Sequence, residues 1–229
     1  MKQPNEAYWN GPLSHPFYSL FVKRILDITL ALILLAPGLI VMIPLAVWVK
    51  LDSPGTVFYR APRGGYRNRT FNILKFRTMI TGADKTGGCT AKNDPRVTRS
   101  GRFMRTTKLD EIPQLLNIIK GDMSFIGPRP ELLLYTRRYT PEQECILWVR
   151  PGISDDASIA FISQDEIVGE EDPVANYEKY ILEKKNAMRV SYARNQSFTG
   201  DARLFIKTLA GVWQKFRGTV MKGAKRHDA

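Results

Sequence analysis

Histidine and cysteine are nearly missing from this chain. The two histidines, His15 and His227, lie near the ends of the 229 residues, which argues against imidazole-based catalysis. The two cysteines, Cys89 and Cys145, are far apart and form no CxxC pair, so neither a disulfide framework nor a structural zinc site is expected. Reduced thiols in a cytosolic compartment fit that usage. Acidic residues are also in deficit. Asp+Glu number 22 against 34 Lys+Arg, a formal charge of +12 that calls for an anionic partner: phosphate, nucleic acid or an acidic membrane surface. Internal repeats and low-complexity tracts are lacking. Any chemistry must run on carboxylates, on Arg and Lys, or on a metal ion. With 44% hydrophobic and 24% charged residues, most of the chain is expected to fold. Its length suits one domain or a domain with an appendage.

Charge is missing locally as well. From Ile28 to Val49 there is no charged residue. The stretch is long enough to cross a bilayer core. It is too long for a signal peptide, and no small-residue cleavage site follows it. A buried core helix would normally show a polar stripe, which this stretch lacks. Pro37-Gly38 near the middle, and Pro44 after it, predict a kink or break, placed near Pro37. Both flanks are basic: Lys23 and Arg24 before, Lys50, Arg60, Arg63, Arg67 and Arg69 after. The positive-inside tendency would keep both ends in the cytoplasm. A re-entrant helix–break–helix hairpin satisfies that, with halves of about 9 to 12 residues, roughly 14 to 18 Å each. A kinked single span is the alternative, and charge alone does not choose between them.

Two other segments have interfacial composition. Phe17, Tyr18 and Phe21 precede Lys23 and Arg24. Near the C-terminus, Leu204, Phe205, Leu209, Val212, Trp213, Phe216 and Val220 recur at helical spacing, punctuated by Lys207, Lys215, Arg217 and Lys222. Such a helix lies in the headgroup plane or packs on the globule as an ordinary amphipathic helix.

The division expected is 1–50, an interfacial segment and membrane helix, and 51–229, a cytosolic part. Residues 56–60 and 70–77 alternate apolar and polar around Pro62, Gly64 and Gly65, which predicts a short β-hairpin. Residues 80–99 read as a long loop. Leu109 to Lys120 is helical, with Leu109, Ile112, Leu116 and Ile119 on one face and Gly121 as a stop. Pro113 places the regular start at about that point. Residues 130–139 and 173–188 also read as helical. The fold class is α+β, mostly helical with one short hairpin.

The densest cluster of polar chemistry runs from Asp94 to Pro130. Asp110-Glu111 lies at a helix start, and adjacent side chains there point about 100° apart, so the two carboxylates should take separate roles. Arg105 lies one short turn upstream. Gly127-Pro128-Arg129-Pro130 holds a single arginine in a rigid turn, which suits anion clamping. Each feature has a bland reading. The acidic pair can simply offset a helix dipole, the turn can be only a loop, and Lys75 and Arg77 can be the solvated face of a strand.

Taken together, these blocks resemble the bacterial sugar transferases, or monotopic phosphoglycosyl transferases. The resemblance runs from Lys23-Arg24-Ile-Leu-Asp27 through the apolar stretch to Leu74-Lys-Phe-Arg-Thr-Met79, Asp94-Pro-Arg-Val-Thr98 and Gly101-Arg102. It peaks at Arg105 to Asn117, Lys120 to Ser124 and Gly127 to Pro130, and ends at Arg150-Pro-Gly-Ile153. It covers roughly residues 20 to 155. The chain departs from the family pattern at Ala36-Pro37, where Ser-Pro is common. It departs again at Ser154 to Ile159, where many members carry Gly-Trp/Leu-Ala-Gln-Val.

The resemblance implies transfer of a sugar 1-phosphate from a nucleotide diphosphate sugar, usually a UDP-sugar, to a polyprenyl phosphate such as undecaprenyl phosphate, with UMP released. It implies that Asp110 attacks the sugar-bearing phosphate and forms a phosphosugar-aspartyl intermediate, and that Glu111 assists attack by the acceptor. Arg105, Arg129, Arg77 and Lys75 would hold phosphate oxygens, and Mg²⁺ would sit near Asp110. It favours the hairpin over a span, with membrane lipid around it and the cytosolic part on the cytoplasmic face of the bacterial inner membrane. A homo-oligomer is compatible with all of this. A different class, a non-catalytic basic membrane adaptor, would not need Asp110. Nucleic acid is not an expected partner, because the basic residues surround a carboxylate pair instead of alternating with exposed aromatics.

Overall fold

An apolar stretch without charge makes a helix whose outer surface no protein needs to cover. In the computed structural model, which describes residues 13–83, 94–161, 164–169 and 171–224, with side chains excepted at 165, 166 and 212–224, that stretch forms α1 (Lys23–Asp52). A π-helical turn, Tyr18–Val22, leads into it. Cys89, His227 and the side chains of Val212, Trp213, Lys215, Phe216, Arg217, Val220 and Lys222 lie outside the described residues.

The helix contains Pro37 and Pro44 and runs through both without a non-helical residue. Of the kink or break expected near Pro37, a non-helical break is not seen, since the backbone stays helical there. The outer side is bare, with Ile40 73% and Leu51 80% exposed. By length and composition the helical chain Tyr18–Asp52 could cross a membrane. Its inner side follows a near-heptad stripe. Ala31 and Leu35 pack with Leu115, Ile118 and Met123, while Met42, Leu45 and Val49 pack with Phe76 and Met104. Ile112 touches both clusters.

Polar contacts fasten each end of α1 to the rest of the chain. At the start, Arg24 Nη1 and Nη2 donate to the carbonyls of Ile118 and Ile119 at 2.5 and 2.8 Å. Asp27 Oδ1 accepts from Ser124 Oγ and Phe125 N at 3.0 and 3.1 Å. Lys23 pairs with Asp201 at 2.6 Å. At the end, Asp52 Oδ2 accepts from both N and Oγ of Ser100 at 2.8 Å.

The expected hairpin is present as β1 (Phe58–Gly64) and β2 (Thr70–Phe76), antiparallel, with Phe58 opposite Phe76 and Gly64 opposite Thr70. Pro62 and Gly64 fall inside β1 and not in the turn. A two-stranded ribbon leaves an edge where proline loses no ladder bond. The turn is made instead by Tyr66–Asn68, with Arg67 and Asn68 at positive φ.

A helix not expected from the sequence, α2 (Arg99–Thr107), follows the 84–93 segment, capped by Thr98 Oγ1 on Gly101 N at 3.0 Å. Next come a 3₁₀ turn, Leu109–Glu111, and α3 (Gln114–Lys120), which starts after Pro113 and stops at Gly121 with φ 98°, as expected. Two short strands also escaped the sequence reading: β3 (Ser124–Ile126) and β4 (Gly152–Ser154), which pair in parallel. Between them lie α4 (Leu133–Thr136), shorter than its expected span, and a 3₁₀ segment, Gln143–Trp148.

After β4 come α5 (Asp156–Ala160), α6 (Gln164–Val168), α7 (Pro173–Tyr177), a π turn, Glu178–Leu182, and α8 (Glu183–Arg194). The last helix is α9 (Phe198–Ala224). Its inner face packs, with Leu204 buried, Phe205 edge-on to Phe125, and Thr208 Oγ1 2.8 Å from Ser154 Oγ. Ile206 and Leu209 stay exposed on the other face. The architecture is α+β.

Candidate active site

Backbone geometry sets the acidic pair in place. Lys108, at φ 63°, ends α2 and turns the chain into the 3₁₀ turn that carries Asp110 and Glu111. Ile112 is anchored in both apolar clusters, so the pair is tied directly to the inner side of α1. Both carboxylates are buried, at 6% and 8% exposure.

The arginine of the Gly-Pro-Arg-Pro turn reaches the pair through a close crossing of backbones. Gly127 N donates to Ser154 O at 3.0 Å, and Gly152 N donates to Pro128 O at 3.1 Å. A Cβ on Gly152 would fall 2.2 Å from Gly127 N, and one on Gly127 would fall 2.4 Å from Arg150 O. Only glycine permits that approach at both positions. The crossing places Arg129 so that Nη1 donates to Ile153 O at 2.5 Å.

The two carboxylates have different surroundings. Glu111 is held by a guanidinium fork from Arg129, with Nη2 on Oε1 and Nη1 3.3 Å from Oε2. Lys75 Nζ, from β2, donates to Oε1 at 3.0 Å. Burial alone would raise the Glu111 pKa, but Arg129, Lys75 and Lys108 outweigh it and hold this carboxyl well below the usual range. Burial pushes the Asp110 carboxyl up; Lys75 opposes it, Glu111 adds to it, and the balance stays above the ordinary value. Burial also lowers the Lys75 pKa against the support of Glu111. Asp110 Oδ1 is buried without a hydrogen-bond partner.

Thus Asp110, Glu111, Lys75 and Arg129 come together, as the sequence suggests. Arg77 does not join them. Its Nε donates to Thr56 O at 2.6 Å, and its two terminal nitrogens donate to Ser53 Oγ, Ser53 O and Pro54 O, each at 2.8 Å. Its donors fasten the loop that follows α1, a structural role that stands beside the expected contact with substrate phosphate. Arg105 turns toward Thr78, donating from Nε to Oγ1 at 2.9 Å, and its charge bears on Asp94.

Sequence reasoning overlooked two residues beside the pair. Lys108 acts electrostatically on both carboxylates. Gln114, one helical turn beyond Asp110, is fully buried, and neither its Oε1 nor its Nε2 has a partner. A proline-then-glutamine helix start after an acidic pair was the only signal available for it.

Among the described residues, no group of three or more His, Cys, Asp or Glu side chains could hold a metal ion. A hard divalent cation such as Mg²⁺ keeps waters and needs only one or two carboxylates plus substrate phosphates. The unpartnered Oδ1 of Asp110 fits that demand, whereas the oxygens of Glu111 are already engaged by cations.

Residues 18–215 match the family described as bacterial sugar transferase. The chain is 41% identical over 151 residues to the UDP-N-acetylgalactosamine-undecaprenyl-phosphate N-acetylgalactosaminephosphotransferase of Aeromonas hydrophila, covering 64% of this chain and 36% of that protein. It is 33% identical over 194 residues to the UDP-glucose:undecaprenyl-phosphate glucose-1-phosphate transferase of Caulobacter vibrioides, covering 83% and 69%. To the Escherichia coli protein of the same name it is 35% identical over 207 residues, covering 89% and 41%.

Proposed function

This chain belongs to the bacterial sugar transferase family and is a transferase, and we propose that it moves a sugar 1-phosphate from a UDP-sugar to undecaprenyl phosphate at the membrane surface, by way of Asp110. The observation that carries this reading is the contrast within the acidic pair: Glu111 is fully engaged by Arg129 and Lys75, while Asp110 presents a buried, unpartnered oxygen.

In the first step, an Asp110 carboxylate oxygen attacks the phosphorus that bears the sugar. A new oxygen–phosphorus bond forms, the bond to the bridging oxygen breaks, and UMP leaves with that electron pair. In the second step, a phosphate oxygen of undecaprenyl phosphate attacks the same phosphorus and Asp110 is regenerated. Splitting the transfer suits a water-soluble donor and a lipid acceptor that need not be bound together. Lys75 and Arg129 offset the charge that would otherwise repel a carboxylate from a diphosphate.

Glu111 is a poor base in this setting, since its pKa is held low. Its role in this reading is to keep Arg129 and Lys75 aimed at the site. A phosphate monoester is largely ionised near neutral pH, with a second pKa of about 6, so the acceptor needs little help to lose a proton. Asp110 would hold Mg²⁺ together with the diphosphate, and the ion would neutralise developing negative charge.

The membrane arrangement in this reading is argued from α1. A helix of 30 residues is about 45 Å long if straight, longer than a hydrocarbon core of about 30 Å. Yet Arg24 and Asp27 at one end and Asp52 at the other bond to α3, β3 and α2, which form one continuous stretch with the active-site turn. A span would carry its two ends to opposite sides. Contact at both ends supports a helix that enters and leaves by the cytoplasmic face, bending within a helical backbone. The relatives' names carry two different sugars, glucose and N-acetylgalactosamine, so the donor is sought among several.

The test is UMP release from a panel of UDP-sugars by the purified chain in vesicles containing undecaprenyl phosphate and Mg²⁺. One donor should support turnover, and Asp110→Asn should abolish it. Full turnover by that variant overturns the nucleophile assignment.

A further inference from the structure

We propose that Arg189, on α8, is a positioning residue for the transfer: as a buried strut between Asp155 and Glu131, it fixes the backbone that aims Arg129 at Glu111. The inference rests on the function proposed above and concerns a part of the chain outside the acidic-pair and arginine-turn motifs.

Arg189 and Asp155 are each 2% exposed. Arg189 Nε donates to Asp155 Oδ2 at 3.3 Å, and Nη1 donates to Glu131 Oε1 at 2.8 Å. Each carboxylate touches the arginine turn. Asp155 Oδ2 also accepts the backbone N–H of Arg129 at 2.9 Å, and its Oδ1 accepts Ser158 N at 2.6 Å. Glu131 lies immediately after Pro130, and its carboxylate also accepts from Tyr177 OH at 2.7 Å. One guanidinium therefore grips the turn from its two flanks. The side chain between those flanks is Arg129, which forks onto Glu111.

The charge balance explains why the strut must be an arginine. Asp155 is buried and Glu131 partly buried within one short region, and leaving either without a counter-charge is unfavourable, most strongly for Asp155. A planar fork can face both at once, whereas a lysine ammonium is a single point of charge. Prolines on each side of Arg129 limit adjustment of the turn, so a shift at Asp155 or Glu131 moves Arg129 as a unit. Displacements of about 1 Å in a positioning group reduce rates by as much as 10²-fold. Nothing places Arg189 itself against the acidic pair, so it acts through Arg129.

The experiment compares wild type, Arg189→Met, Arg129→Ala and the double variant in the vesicle assay. Hydrogen–deuterium exchange over residues 124–132 and thermal unfolding are read on the same samples. Arg189→Met should lower kcat about 10- to 100-fold and speed exchange at the Arg129 amide. On the Arg129→Ala background, the same change should alter kcat by less than about threefold, the mark of two residues acting as one unit.

Asp155→Asn keeps one acceptor oxygen, enough for the Arg129 amide or the Ser158 amide but not for both, whereas Asp155→Ala keeps neither, so the Asn variant should retain more activity than the Ala variant. That pair carries the test if Arg189→Met fails to fold. Losses that multiply in the double variant, or unchanged exchange at the Arg129 amide, overturn the strut. If wild type itself releases no UMP, the functional reading fails while the exchange result still decides the strut.

Discussion

Asp52, the last residue of α1, accepts two hydrogen bonds from Ser100, one from the backbone and one from the hydroxyl, both at 2.8 Å. Ser100 sits in the first turn of α2, where a carboxylate also meets the exposed N–H groups and positive end of the helix. The contact thus caps α2 from outside and ties the exit of the apolar helix to the element that leads into the acidic pair. Asp52→Ala should destabilise the protein by about 1–2 kcal/mol. In detergent, that corresponds to a fall in Tm of roughly 2–8 °C for a chain of this size. An unchanged Tm would show that this junction contributes nothing.

Arg77 offers a sharper test of roles, because its two readings predict different measurements. A guanidinium that fastens the Ser53–Thr56 loop through four donated bonds of 2.6–2.8 Å cannot be replaced by an ammonium with three donors. Arg77→Lys should therefore cost about 2–3 kcal/mol of stability, and KM for the UDP-sugar should move less than about threefold. A phosphate ligand would behave in reverse, with KM raised and thermal unfolding unmoved.

The contrast between Arg77 and Arg129 shows where sequence reasoning succeeds and stops. The apolar run of α1, the hairpin, the helix start after Pro113 and the stop at Gly121 are written in local chemistry: missing charge, alternation, one ring and one Cβ-free residue. Asp110, Glu111, Lys75 and Arg129 were legible as a set because short motifs place them. Lys75 and Arg77, two apart on or just beyond one strand, read alike in sequence, yet only Lys75 meets Glu111. Their destinations depend on the loop after α1, which is non-local.

The helix α2 was missed for a similar reason. Its interior includes Gly101, and its apolar residues are only Phe103 and Met104. The glycine is required by a neighbour: a Cβ there would lie 2.0 Å from Thr78 O. The three-residue strands β3 and β4 are too short to show alternation. Arg189 shares its helix with Lys184, Lys185 and Arg194, so its sequence pattern is that of a solvated face. Asp155 stood out only as part of the Ser154–Ile159 departure from the family pattern.

Gln114 gives a prediction of opposite sign. A buried amide with neither atom partnered is a desolvated polar group without compensation. Gln114→Met keeps length and removes both polar atoms. It should raise stability by about 1 kcal/mol or more, roughly 2–4 °C in Tm. A lower Tm would mean that the amide is satisfied in solution, for instance by water or by the substrate phosphate reached from Asp110.

The Arg189 strut also fixes how stability responds to acid. Burial pushes the Asp155 pKa up, but Arg189 and the N–H groups of Ser158 and Arg129 outweigh it, and the carboxyl lies below its ordinary value. Glu131 behaves alike, with burial outweighed by Arg189 and Tyr177. The unfolded chain, with carboxyl pKa values of about 4, therefore binds more protons than the folded chain in the acid range. The stabilisation is present in full above those unfolded values and is lost as pH falls through the depressed folded ones. Arg189→Met removes the principal counter-charge of both groups and should cost about 3 kcal/mol or more near pH 7. The Tm gap between wild type and variant should then be widest near neutrality and should narrow below about pH 4, as the carboxylates protonate and no longer need a partner. Thermal unfolding across that range decides the matter, since parallel curves would mean that neither carboxylate draws its low proton affinity from Arg189.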